Sequence, residues 1–86
     1  MYNKYMEYTY SKHFLLRMQE RDINFEDIEQ ILLEKVDTVQ IPSKTDQNVF
    51  LLLGFVKGKG IAIILNSENL NLITVRRMRK NEEKLF

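Results

Sequence analysis

The chain has 86 residues, 44% of them apolar and 29% charged, with a formal net charge of +1, a composition that fits one globular domain over 1–86 and no second one. It contains no cysteine and a single histidine, His13, which excludes disulfides and thiolate-metal centres. On the same grounds a histidine-based metal site is not expected, and no cofactor motif is present.

The opening residues, Met1 to Tyr8, lack the apolar segment of a signal peptide, and no apolar run is long enough to cross a bilayer. The expected location is the cytoplasm, with no membrane partner. Tyr8-Thr9-Tyr10 has strand character, and Ser11 predicts the N-cap of a helix from Lys12 to Arg21 with Phe14, Leu15 and Met18 on its apolar face. Asn24 predicts a second N-cap, with Asp27 three residues on as its capping-box partner. Phe25, Ile28, Ile31 and Leu32 follow helical spacing, so 25–34 reads as an amphipathic helix with an acidic outer face.

After Lys35 the period becomes two. Val36, Thr38 and Gln40 face one way and Asp37, Val39 and Ile41 the other, an edge-like strand that ends in the loop from Pro42 to Asp46. Val49 to Val56 and Ile61 to Leu65 form a hairpin around Lys57-Gly58-Lys59-Gly60, which lacks the spacing of a phosphate loop and reads as a turn with a basic tip. Asn66 to Asn69 turns into a strand from Leu70 to Val75, and Met78 to Phe86 predicts a short terminal helix. The expected fold is α+β, two N-terminal helices packed on an antiparallel four-stranded meander, with a short C-terminal helix. Strands that are apolar on both faces need two covers. The expected second cover is the terminal segment with Met78, Leu85 and Phe86, a partner chain, or a second copy through the apolar sheet face.

Charge is polarised along the chain: +2 over 1–19, −5 over 20–37, neutral over 38–56 and +4 over 57–86. This pattern predicts a local anionic site in place of a general electrostatic coat. His13, Arg17 and Arg21 recur every fourth residue and form one polar stripe on the first helix. A histidine among arginines suits acid or base work on a phosphodiester, since imidazole exchanges its proton near neutrality. The plain alternative is a solvated face in which Arg17 or Arg21 pairs with Glu20 or the acidic helix. At the other end, Arg76, Arg77, Arg79 and Lys80 follow an apolar strand, where fixed guanidiniums grip phosphate through paired hydrogen bonds. Strand alternation sends Arg76 and Arg77 to opposite faces, and the alternative is pairing with Glu82 and Glu83. Tyr2, Tyr5, Tyr8 and Tyr10 offer rings for base stacking or, more simply, half-buried strand residues.

The segment Ser11-Lys-His13-Phe-Leu-Leu-Arg17-Met-Gln-Glu-Arg21-Asp-Ile-Asn-Phe-Glu-Asp-Ile-Glu resembles the opening of a family of small bacterial proteins of unassigned function. The end, Leu72-Ile-Thr-Val-Arg76-Arg77-Met-Arg79-Lys80, resembles the closing strand of that family and of BrnT-type toxins, and both are similar in layout to the RelE/ParE toxin superfamily. The resemblance implies a RelE-like domain acting as the toxin of a toxin–antitoxin pair, a metal-free endoribonuclease cleaving mRNA, with a cognate antitoxin and the ribosome as expected partners. It implies His13 as acid or base, Arg17 and Arg76 as phosphate stabilisers, and Arg21, Arg77, Arg79 and Lys80 as RNA contacts. The alternative it allows is a non-catalytic protein-binding module or a ParE-like inhibitor of a protein target.

Overall fold

A computed structural model describes residues 8–86. The readings made of Tyr2, Tyr5 and the rest of the first seven residues lie outside the described residues. The chain is α+β: strand β1 (Thr9–Tyr10), helices α1 (Lys12–Glu20) and α2 (Phe25–Leu32), strands β2 (Thr38–Pro42), β3 (Val49–Val56), β4 (Lys59–Asn66) and β5 (Asn71–Arg77), and helix α3 (Lys80–Glu83).

The strands form one five-stranded sheet in the order β1-β5-β4-β3-β2. The expected four-stranded meander is therefore one strand short. β1 joins it by parallel pairing with β5, Thr9 opposite Asn71 and Tyr10 opposite Leu72, a non-local contact with no local sequence signal. The meander itself is antiparallel, and β2 lies at the edge as its polar alternation predicts.

Both predicted caps form. Ser11 Oγ accepts the N–H of Phe14 and donates to the carbonyl of Ile73, so one hydroxyl both opens α1 and ties it to β5. Ile73 is the extra residue of a bulge, since Leu65 pairs with Leu72 and Ile64 with Thr74. At α2 the Asn24 side chain accepts from the Asp27 N–H and the Asp27 carboxylate accepts from the Asn24 N–H, a complete capping box. Both helices stop earlier than their periodicity predicts, α1 capped by Arg21 and α2 by Leu33, because the chain turns through left-handed residues at Asp22 and Glu34.

The helices cover one sheet face. Phe14, Met18, Ile23, Ile28, Ile31 and Leu32 pack against Val56, Ile61, Ile63, Leu65, Leu72 and Val75. Leu15 and Phe25, expected on the apolar faces, are instead 41% and 52% exposed. Gly54 marks where α2 comes closest to β3: a Cβ there would meet Ile31 Cγ1 at 3.0 Å. Gly54→Ala is expected to cost about 1–3 kcal/mol through overpacking, read as a lower urea midpoint.

The outer face holds Leu53, Ala62 and Met78, flanked by the half-buried Val39, Ile41, Leu51 and Phe55. The terminal segment supplies part of the second cover. Met78 is buried, and the ring of Phe86 meets that of Phe55 edge-on at 5.2 Å. The terminal helix is shorter than predicted, one turn from Lys80 to Glu83.

Candidate functional site

The register of β5 separates the two arginines that strand alternation set apart. Arg77 lies opposite Ile61 on the helix side and Arg76 opposite Ala62 on the outer side. Arg76 donates from Nη1 to Glu82 Oε1 and from Nη2 to Glu82 Oε2, both at 2.7 Å, and the Arg79 N–H donates to the same carboxylate at 2.7 Å. This arrangement sets Arg76, expected as a phosphate stabiliser, apart from His13. Its guanidinium fork is filled by Glu82 and it stands on the sheet face away from α1, so it fastens α3 to the outer face.

That fastening is electrostatic and acid-sensitive. The Arg76 guanidinium, with the Arg79 N–H, holds the Glu82 carboxyl down at about 2, and Glu82 raises Arg76 in turn. A carboxyl depressed in the folded state stabilises it fully above its unfolded value near 4.5 and loses that contribution as pH falls toward about 2. Glu82→Gln is expected to cost about 2 kcal/mol at neutral pH. It should also flatten the fall of stability between those pH values, measured by urea titration across the acid range.

The stripe on α1 is intact. Arg17 Nε faces His13 Nε2 in a long 3.5 Å contact, and Arg17 Nη1 pairs with Glu20 Oε1 at 2.7 Å. His13 and Arg21 are exposed, and the Arg17 side chain is 37% exposed. With Nε2 accepting, the neutral imidazole carries its proton on Nδ1. The pairing of Arg17 with Glu20 is the plain alternative that the spacing allowed, and it leaves Nη2 without a hydrogen-bond partner among the described residues. Arg77 Nη2 donates to the Arg21 carbonyl at 3.4 Å, which brings β5 to the C-terminal end of the stripe. The structure thus sets His13 beside Arg17, with Arg21 following at the C-cap of α1 and the Arg77 guanidinium against its carbonyl, while Arg79 and Lys80 stand exposed at the start of α3.

The basic hairpin tip does structural work that no spacing rule reveals. Lys59 Nζ donates to the Asp22 carbonyl at 3.0 Å and to the wholly buried Asp27 at 3.1 Å, and Lys57 pairs with Glu26 at 3.1 Å. Lys59 and Arg77 together meet the carbonyl-rich end of α1, where the helix dipole favours cations. Tyr8 and Tyr10 are half-buried, as the simpler reading of the tyrosines has it, with Tyr10 edge-on to Phe14 and Phe25.

Among the described residues no group of three or more His, Cys, Asp or Glu could hold a metal ion, and no helix is long and apolar enough to cross a membrane. No curated protein and no solved structure matches the chain. A family model does match it over residues 10–77, a span that runs from Tyr10 through both helices and ends on Arg77, and by that match the chain belongs to the domain of unknown function family DUF4258.

Proposed function

We propose that this chain is an endoribonuclease toxin of a toxin–antitoxin pair whose site is the exposed edge of α1. One observation carries the reading: an exposed imidazole, whose Nε2 is engaged only by a long 3.5 Å contact that a substrate hydroxyl can displace, stands beside a guanidinium held in place by Glu20. In phosphodiester cleavage without an external nucleophile, the ribose 2′-oxygen forms a bond to the adjacent phosphorus while the bond to the 5′-oxygen breaks. The products are a 2′,3′-cyclic phosphate and a 5′-hydroxyl. His13 Nε2 takes the 2′-hydroxyl proton, and solvent supplies the proton of the leaving oxygen. Arg17 places its N–H donors on the phosphate oxygens where charge builds up. Arg21 and Arg77 extend the cationic edge for the flanking phosphates, and Arg79 and Lys80 offer further backbone contacts. The α+β layout, two helices on one face of a sheet whose β2–β5 meander is antiparallel, is compatible with the RelE-like architecture that the sequence resembles.

A second reading, a protein-binding module of the same fold, is favoured by the outer face, where Val39, Ile41 and Leu51 remain only half-buried beyond the reach of α3. In the nuclease reading this is the surface that a cognate antitoxin would cover.

The deciding experiment is 5′-end mapping of cellular RNA shortly after induction of the wild type, with His13→Ala and Arg17→Ala beside it. New 5′-hydroxyl ends that vanish in both variants are the expected result. Growth arrest with unchanged RNA would overturn the nuclease reading in favour of a protein target, and cleavage that survives both variants would remove the α1 site.

A further inference from the structure

We propose that two copies of this chain associate by antiparallel pairing of their β2 strands, which would extend the sheet continuously across a two-fold axis. The inference is independent of the RNA reading and rests on how β2 is built. Of the two sheet edges, β1 is a two-residue strand that leads through Ser11 directly into α1, whereas β2 is a five-residue strand with no further strand beside it among the described residues. The Ser43 N–H donates to the Val49 carbonyl at 2.8 Å, so Ser43 and, by alternation, Ile41 and Val39 turn their peptide groups toward β3. Thr38, Gln40 and Pro42 therefore turn theirs outward, and the proline occupies a position where β3 asks for no donor.

Edge strands of soluble proteins are usually blunted by charge. From Thr38 to Pro42 this one carries none. A two-fold contact must pair the strand with itself in antiparallel sense. With the axis at Gln40, the Gln40 N–H of each copy donates to the Gln40 carbonyl of the other, and Thr38 N–H donates to the Pro42 carbonyl at both ends. The only outward donor this register lacks is the one proline does not have. The same register sets Asp37 of one copy at the end of the other strand that carries Lys44, opposite charges at both rims. It also places Val39 of each copy across from Ile41 of the other, on the outer face where both are half-buried.

The test is sedimentation equilibrium over a wide concentration range, combined with amide hydrogen exchange. Wild type is expected to approach twice its 10.3 kDa mass, with the Thr38 and Gln40 amides becoming protected as the dimer forms. Gln40→Pro deletes an outward N–H without touching the β2–β3 ladder and should restore the monomer, while Gln40→Ala, which keeps the N–H, should remain dimeric. A wild type that stays monomeric at every concentration, or a Gln40 amide protected in the monomer, would overturn the proposal. So would a folded Gln40→Pro protein that still dimerises. If Gln40→Pro does not fold, the concentration dependence of exchange at Thr38 and Gln40 in the wild type decides the question alone.

Discussion

Lys59→Met is expected to destabilise the fold by about 3–5 kcal/mol, the range for removing one partner of a buried ion pair. Asp27 is 0% exposed and its Oδ2 accepts from Lys59 Nζ and the Asn24 N–H, while Oδ1 is buried with no bond partner among the described residues. Without the ammonium, the carboxylate would sit in the core with a single backbone donor. Methionine keeps most of the lysine stem's volume, so the loss reports charge and hydrogen bonding more than packing. The Asp22 carbonyl loses its donor in the same change, and with it the turn that joins α1 to α2. Urea unfolding at neutral pH measures the effect. Lys57→Met, which breaks an exposed pair with Glu26, should change stability by less than about 1 kcal/mol. Equal losses in the two variants would refute the special position of Lys59. The double variant Lys59→Met, Asp27→Asn should recover part of the loss, since a neutral amide is cheaper to bury than an unpaired charge.

What the sequence made legible follows from how local each interaction is. Ser11 and Asn24 bond to residues three positions away, so both helix starts could be read directly, down to the capping-box role of Asp27. The hairpin around Lys57-Gly58 and the opposite orientation of Arg76 and Arg77 follow from a two-residue period, and both are present. β1 escaped inclusion in the sheet because two residues carry no period and its pairing with β5 spans more than sixty positions. The Asp27–Lys59 pair is equally non-local. Its lysine sits in a turn that reads as solvent-exposed, and only the fold of the hairpin over the α1–α2 junction buries the carboxylate. Arg76 illustrates the opposite limit. Its pairing with Glu82, six residues away, was one of two readings, and sequence alone had no means to weigh a neighbouring carboxylate against an absent phosphate. For the α1 stripe, spacing predicted the shared edge of His13, Arg17 and Arg21, and what it lacked was Arg77 arriving from the sheet.

The largest functional effect is expected at His13 and Arg17, where each single alanine variant should lower RNA cleavage by about 10²–10⁴-fold, the usual contribution of a positioned acid–base group or an oriented charge donor. Neither change should alter stability by more than about 0.5 kcal/mol, because both side chains lie on the open face of α1 and neither fills the core. The contrast with Arg76→Ala is diagnostic. That variant frees Glu82 from its bidentate partner and should lose stability, with cleavage by the molecules that remain folded unchanged. Because Arg17 Nε faces the very nitrogen assigned as the base, the two groups act as one unit, and the double variant should be little worse than the more damaged single one. Arg17→Lys tests the geometry further. It keeps the charge but not the planar fork, so it should retain phosphate affinity better than it retains turnover. Fully multiplicative losses in the double variant would separate the two residues into independent contacts, and wild-type turnover in Arg17→Lys would reduce Arg17 to a point charge on the RNA path.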